Sequence, residues 1–181
     1  MDRQIIRNIN SEHPEDHWGF LPIEGETILD LGCGINSDFT PTPVHWIQKG
    51  AKKVYGVDPS PQSYEWFKTN FNIKNFIPIM DYVDRTEKFE MYFNVVKPSV
   101  VKIDVEGSEI FMNAIKPEFL EGVRHIGIEY HNLACLLSCE MLLQQNGYEL
   151  TYYKFEHLDI DHQGVLHAHK KNVIVKHRKN D

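Results

Sequence analysis

The sequence has little of several features that mark specialised classes of protein. It contains three cysteines in 181 residues, which is too few for a disulfide framework. No apolar run approaches the roughly 20 residues needed to cross a bilayer, and residues 1–13 contain no signal-peptide core. We therefore expect a reduced, cytoplasmic protein that has no membrane partner.

Positive charge is also scarce. Lys and Arg number 19 against 26 Asp and Glu, which gives a formal net charge of −7. A protein that coats nucleic acid needs excess positive charge to neutralise phosphates, so we expect no nucleic-acid partner. Internal repeats and Gly/Ser linkers are absent, which favours one domain at residues 26–181 after a short N-terminal segment at residues 1–25. The oligomeric state stays open.

What the chain does contain is an alternation of short β-rich runs and helical stretches. This pattern is typical of an α/β fold with a parallel sheet covered by helices. No helical pattern separates the last two β-rich runs, so we expect an antiparallel final strand. The predicted strands cover residues 26–31, 53–57, 75–80, 99–105, 125–130, 148–155 and 172–176, and the predicted helices cover residues 44–49, 63–71, 84–95, 109–115 and 133–145.

A glycine pair follows the first predicted strand, in the run Asp30-Leu-Gly-Cys-Gly34. Two glycines separated by one residue let the backbone turn tightly and approach a ligand closely. Asp58 ends the second strand, where an acidic side chain can accept the ribose hydroxyls of an adenosine. Asn36 stands where a dinucleotide site has a third glycine or alanine, so the pattern favours a nucleoside ligand without a pyrophosphate.

These two motifs resemble those of the class I S-adenosylmethionine-dependent methyltransferases. Further on, Lys-Ile-Asp-Val-Glu-Gly-Ser-Glu at residues 102–109 and Ile-Glu-Tyr-His at residues 128–131 resemble the FkbM subfamily of these enzymes. The resemblance covers about residues 26–176. It implies a Rossmann-like sheet of seven strands in the order 3-2-1-4-5-7-6, with the last-placed strand antiparallel and helices on both faces.

The resemblance also implies that S-adenosylmethionine is the cofactor, with its methionyl part at the first motif. Gly32 and Gly34 would hold the methionyl part, and Asp30 would orient their loop or the cofactor's amine. Asp104, after the fourth strand, would lie next to the amino-acid end of the cofactor.

The nucleoside part of the cofactor would lie at the next two strand ends. The resemblance implies that Asp58 binds the ribose and that Asp81 accepts the adenine amino group, with Tyr82 beside it. An Asp after a strand is also a common cap of a turn or helix, so Asp81 has a purely structural alternative.

Three side chains are candidates for a general base, which methyl transfer to a hydroxyl benefits from. Glu106 and Glu129 end neighbouring strands, and His131 has an ordinary pKa near neutrality. Close packing of like charges and burial would raise the pKa of such a carboxylate. Together with Asp104, the same acids offer the oxygen ligands that Mg²⁺ prefers, although no spacing is diagnostic of a metal.

The predicted function is methylation of an oxygen in a small molecule or a saccharide. Two alternatives stay open, namely a cofactor-binding protein without turnover and a nicotinamide-dependent oxidoreductase, which the missing third glycine disfavours. One further cluster lies between the last two predicted strands. It is expected to be a solvated loop and not a zinc or nickel site, and it contains Asp159, Asp161, His162, His167 and His169.

Overall fold

Strands and helices alternate along most of the chain in the computed structural model, which describes residues 5–9, 13–35, 40–155, 159–160 and 162–170. The strands are β1 Ile5–Ile9, β2 Thr27–Leu31, β3 Lys53–Asp58, β4 Phe76–Met80, β5 Val100–Ile103, β6 His125–Tyr130, β7 Tyr148–Phe155 and β8 Gly164–Lys170. The α-helices are α1 Pro14–Trp18, α2 Thr42–Gln48, α3 Pro61–Asn70, α4 Thr86–Val96 and α5 Leu133–Gln145. Two 3₁₀ helices are η1 Ser108–Ala114 and η2 Pro117–Leu120.

The strands form one sheet in the order β1-β7-β8-β6-β5-β2-β3-β4. All neighbours pair in parallel except β8, which is antiparallel to both β6 and β7. Read without β1, this is the predicted order 3-2-1-4-5-7-6. The last described strand, β8, is antiparallel as predicted, although it lies at Gly164–Lys170 and not at residues 172–176. The predicted number of strands is wrong, because the described residues form eight strands instead of seven.

The eighth strand comes from the N-terminal segment. β1 pairs in parallel with β7 at one edge of the sheet, and the following helix α1 places Trp18 in the core. Trp18 packs so closely on β6 that a Cβ atom at Gly127 would lie 3.2 Å from its ring. Both elements have only five residues, which is too short for a hydrophobic period to predict them.

Helices cover both faces of the sheet, as predicted. One face packs against α4, α5, η1 and η2, with Phe89 and Leu136 among the fully buried side chains. The other face packs against α1, α2 and α3, with Trp46 and Phe67 buried there. Among the described residues, no helix has the length and apolar character needed to cross a membrane.

The strand β8 lies within the stretch that was expected to be a solvated loop. The predicted last strand, residues 172–176, falls outside the described residues. His167 and His169 lie on β8, and the Nε2 atom of His167 is 3.3 Å from Nδ1 of His125 on β6. The pKa is lowered to about 4 for His125 and to about 3 for His167. Burial is the largest cause for both residues, and neighbouring imidazoles contribute next. The expectation of a solvated loop is therefore wrong for residues 164–170, which form a strand between β6 and β7 and include the neutral ring of His167.

We expect Leu136→Ala to lower the free energy of unfolding by about 2–5 kcal/mol, because it leaves a cavity between α5 and the sheet. Leu136 is fully buried, whereas its neighbour Leu137 is half exposed. Leu137→Ala is thus a matched control that should change stability by less than about 0.5 kcal/mol. Urea unfolding monitored by circular dichroism measures both values. Equal losses for the two variants would contradict this packing of α5.

The lowered pKa values of His125 and His167 predict a loss of stability in acid. Their folded-state pKa values lie below the ordinary value of about 6.5, so the stability from the neutral pair is complete above that pH and is lost as the pH falls towards 4. We expect His167→Phe to reduce the fall in unfolding free energy between about pH 7 and pH 5. The control His162→Phe changes an exposed histidine and should leave that fall intact. An unchanged pH dependence in His167→Phe would contradict the prediction.

Candidate active site

The carboxyl ends of five parallel strands meet along one edge of the sheet. This edge carries Gly32 after β2, Asp58 at the end of β3, Asp81 after β4, Asp104 after β5 and Glu129 near the end of β6. Ligands of open α/β sheets bind at this edge. The fold therefore brings most of the predicted site residues to one place.

Gly32 turns the chain at the end of β2. Its φ angle is 77°, and its N–H donates to the carbonyl of Val57 over 2.8 Å. A Cβ atom at this position would lie 1.6 Å from the carbonyl oxygen of Asp104. Glycine is thus required by the neighbouring strand end as well as by the left-handed backbone. The sequence predicted that Gly32 leaves space for a ligand, but it did not predict the close approach of Gly32 to the Asp104 carbonyl.

The second glycine brings the first two motifs together. A Cβ atom at Gly34 would lie 3.0 Å from Oδ2 of Asp58. The other oxygen of Asp58 accepts a hydrogen bond from the backbone N–H of Ser60 over 2.9 Å. Burial raises the pKa of the Asp58 carboxyl. One carboxylate oxygen is therefore fixed by the chain, while the other faces bare glycine backbone, which suits a carboxylate that binds hydroxyl groups.

A buried lysine links the glycine turn to β5. The Nζ atom of Lys102 donates to the carbonyl of Gly32 over 2.5 Å and lies 3.4 Å from Oδ1 of Asp30 and 3.3 Å from Oδ2 of Asp104. Burial opposes the charge of Lys102, but the two carboxylates outweigh it and raise the pKa of the ammonium. Sequence reasoning missed this role, since a lysine in an apolar strand gives no signal of its partners.

Asp30 lies below the glycine turn and has no exposed surface. Its Oδ2 atom accepts hydrogen bonds from Thr42 Oγ1 over 2.5 Å and from Trp46 Nε1 over 2.8 Å. Of the two roles that the resemblance implied, the geometry favours orientation of the loop over contact with a cofactor amine.

Asp81 is already engaged by its own surroundings. Its Oδ2 atom accepts from Lys88 Nζ over 2.5 Å and from the Tyr92 hydroxyl over 2.7 Å, and Oδ1 accepts from the N–H of Tyr82. Burial raises the pKa of Asp81, but Lys88 and Tyr92 outweigh this effect and lower it. The Tyr82 side chain is half exposed. Contact of either residue with adenine stays a prediction.

Four carboxylates surround the imidazole of His131. Its Nε2 atom lies 3.4 Å from Glu106 Oε2 and 3.8 Å from both Asp104 Oδ1 and Glu129 Oε1, while Nδ1 lies 3.3 Å from Glu109 Oε1. Burial disfavours protonation of the ring, but the carboxylates outweigh it and raise the pKa of His131 to about 9. The imidazole therefore holds a proton at neutral pH and is a poor proton acceptor in this state.

Glu129 is held by two residues that the sequence did not single out. His17 Nε2 lies 3.0 Å from Glu129 Oε2, and Gln163 Nε2 donates to Oε1 over 2.7 Å. Burial opposes ionisation, but His17 and Gln163 outweigh it and lower the pKa of Glu129. The expected rise in pKa is thus wrong for Glu129 and confirmed in direction for Asp104, where burial raises it. No sequence spacing connects α1 or residue 163 with β6.

The turn after β5 presents Glu106 and hides Glu109. Glu106 and Gly107 have φ angles of 53° and 97°, and the Glu106 side chain is 85% exposed. Glu109 has no exposed surface, and its Oε1 atom accepts from the N–H of Val105 over 3.0 Å. The predicted helix at residues 109–115 is the 3₁₀ helix η1, which follows directly from this left-handed turn.

No protein-family model and no curated protein matches the chain. Solved structures do match. Fibrillarin from Methanococcus jannaschii, a pre-rRNA processing protein, has a TM-score of 0.58 and 20% identity over 83% of this chain and 69% of its own. Aeropyrum pernix fibrillarin with natively bound S-adenosylmethionine has a TM-score of 0.58 and 21% identity over 82% of this chain and 68% of its own.

Magnesium protoporphyrin IX methyltransferase from Synechocystis PCC 6803, also with bound S-adenosylmethionine, has a TM-score of 0.52 and 16% identity over 82% of this chain and 71% of its own. The chain has the fold of class I methyltransferases. Identities this low show the fold alone, so the FkbM-like resemblance stays a prediction. The predicted Rossmann-like architecture is confirmed.

We expect Gly32→Ala to destabilise the fold beyond the effect of a left-handed backbone. Gly147 has nearly the same φ angle, 78°, but a Cβ atom there would meet nothing within 4 Å. Gly147→Ala should lower the free energy of unfolding by about 1–2 kcal/mol from backbone strain. Gly32→Ala should lower it by about 1–3 kcal/mol more, because its Cβ atom overlaps the Asp104 carbonyl. Equal losses in urea unfolding would refute the close approach of β2 and β5.

Proposed function

We propose that the protein is an S-adenosylmethionine-dependent methyltransferase that acts on a hydroxyl oxygen of a small molecule or a saccharide. One observation carries this proposal: Gly34 and Asp58 meet at the carboxyl edge of a sheet with methyltransferase strand order. Two solved structures with this fold contain the cofactor. The FkbM-like block at residues 102–109 supports the same class.

The site residues fit the parts of this cofactor. Because Gly34 has no side chain, no Cβ atom covers Oδ2 of Asp58, and ribose hydroxyls would donate to this carboxylate. The methionyl part would run past the glycine turn and reach Asp104. One oxygen of Asp104, Oδ2, lies against Nζ of Lys102. The exposed ring of Tyr82 would cover the adenine.

The protein's part in the chemistry is mainly alignment. S-adenosylmethionine supplies a methyl carbon already activated by a sulfonium. Bound at this edge, the cofactor would supply that methyl group to an acceptor oxygen and leave as the thioether, and a base of the protein would take the hydroxyl proton. Holding oxygen, carbon and sulfur in line supplies most of the effect. Glu106 is the open base candidate, since His17 and Gln163 hold both oxygens of Glu129.

The charge of the site favours a neutral acceptor. Asp104, Glu106, Glu109 and Glu129 all lie within 4 Å of His131. This group of acids would repel the phosphates of a nucleic acid. Fibrillarin is a pre-rRNA processing protein, but the acidic edge of this chain favours a hydroxyl-bearing acceptor without phosphate.

We expect Asp58→Ala to weaken S-adenosylmethionine binding by about 1–3 kcal/mol, which is the effect of losing hydrogen bonds to a charged acceptor. Isothermal titration calorimetry measures the affinity. Asp84→Ala removes a surface carboxylate paired with its neighbour Arg85 and should leave the affinity unchanged. Asp58→Asn keeps an oxygen that accepts from the Ser60 N–H but removes the negative charge. This variant therefore separates the structural role of Asp58 from its role in cofactor binding. Unchanged affinity in Asp58→Ala would remove Asp58 from the site.

The same titration distinguishes the proposal from its alternatives. The parent protein should bind S-adenosylmethionine and should not bind NAD. A screen of hydroxyl-bearing acceptors should then yield S-adenosylhomocysteine. Binding without turnover on any acceptor would support a cofactor-binding protein, and tight NAD binding would favour an oxidoreductase and refute the methyltransferase.

A further inference from the structure

The His131 cluster has the spacing of a metal site as well as that of an ion-pair network. The ligand atoms of Asp104, Glu106 and His131 all lie within 4.8 Å of one another, and no other group of three or more such side chains meets this spacing in the described part of the chain. Two ligands bound at about 2.0–2.2 Å to one ion lie roughly 3–3.5 Å apart. The distance of 3.4 Å from His131 Nε2 to Glu106 Oε2 fits this range, and the 3.8 Å to Asp104 Oδ1 requires a small side-chain adjustment.

The second nitrogen of His131 faces a buried carboxylate. Nδ1 lies 3.3 Å from Oε1 of Glu109, which is fully buried and also accepts from the N–H of Val105. Neither the other oxygen of Glu109 nor His131 Nδ1 has a hydrogen-bond partner among the described residues, so the 3.3 Å contact between Nδ1 and Glu109 is an ion-pair contact. A metal-binding histidine usually donates its second N–H to such a carboxylate, which fixes the ring and leaves the other nitrogen to the metal. In this geometry Nε2 points towards Asp104 and Glu106.

The neighbouring acid is also fixed in place. Glu129 Oε1 lies 3.8 Å from His131 Nε2, while His17 and Gln163 hold the Glu129 carboxylate. The cluster thus contains three carboxylates around one imidazole nitrogen, and each comes from a different position on the edge formed by β5 and β6. The ammonium of Lys102 contacts both Asp104 and Asp30. Because its single positive charge pairs with two carboxylates, the cluster keeps an excess of negative charge.

We propose that Asp104, Glu106 and His131 bind a divalent first-row transition metal, which takes the place of the Nε2 proton of His131 and releases it to solvent, with Glu109 behind the imidazole. An imidazole ligand favours Mn²⁺, Co²⁺ or Zn²⁺ over Mg²⁺, which prefers oxygen ligands alone. Metal binding does not require methyl transfer, but a metal-bound Glu106 would no longer be the free base of the reaction proposed above. The use of the metal, to hold an acceptor oxygen and lower the pKa of the hydroxyl, rests on that proposed function.

The test measures binding of Mn²⁺ alone to the full chain after chelator treatment and dialysis. Electron paramagnetic resonance reports free Mn²⁺, and we expect one bound ion per chain. His131→Gln removes a ligand and should weaken binding by about tenfold or more. Glu109→Gln keeps the oxygen for Val105 and removes the charge, and should weaken binding about 10–100-fold. Glu118→Gln changes an exposed carboxylate on η2 and should bind Mn²⁺ like the parent.

The outcomes separate the metal site from the methyltransferase. Circular dichroism shows which variants are folded, and either folded variant of His131 or Glu109 suffices for the comparison. Absence of Mn²⁺ binding, or binding that ignores His131→Gln, would overturn the site. Displacement of Mn²⁺ by equal Mg²⁺ would overturn the choice of metal. Mn²⁺ binding without S-adenosylmethionine binding would leave the metal site standing and refute the proposed function. Methyl transfer unaffected by chelator would leave the proposed function standing and refute the use of the metal in that transfer.

Discussion

A buried ammonium is the interaction on which the geometry of this edge depends. Lys102 is almost fully buried in β5 and reaches the Gly32 carbonyl, Asp30 and Asp104 at once. A charge in this position is tolerated only when it is paired and hydrogen-bonded. Removing one partner of such a buried pair leaves the other charge uncompensated, which destabilises a protein by about 3–5 kcal/mol. The glycine turn and the Asp104 carboxylate are therefore held in a fixed relation.

Charges of alternating sign continue from this lysine across the site. Asp104 lies between Lys102 and His131, and His131 lies between Asp104 and Glu109. Each charge lowers the free energy of its neighbours, so no member can change its charge alone. The high pKa of His131 follows from these carboxylates, whereas the low pKa of Glu129 is due first to His17 and Gln163 and only then to His131. A proton or a metal ion on His131 would place a positive charge among the surrounding carboxylates and so compensate their negative charge.

Residues that act through local backbone geometry could be predicted from the sequence, whereas residues that act through long-range contacts could not. Gly32 and Asp58 follow strands that hydrophobic patterning identifies, and parallel strands place such residues at one edge. His17 and Gln163 reach Glu129 from elements that the patterning missed. His167 on β8 was misassigned for a related reason, since an imidazole counts as polar in a sequence but packs as a neutral ring once burial lowers its pKa.

The fold and the site residues give different kinds of evidence about function. The sheet order is shared with proteins of quite different use, among them fibrillarin and magnesium protoporphyrin IX methyltransferase, so the order alone selects no acceptor. In this chain, the ends of β5 and β6 carry the acidic side chains around His131. There the strained backbone of Glu106 projects one carboxylate outward, while Glu109 is drawn inward to the back of His131. Glu106 and Glu109 are three residues apart and point in opposite directions. Glu106 is therefore open to a ligand, while Glu109 supports the imidazole of His131.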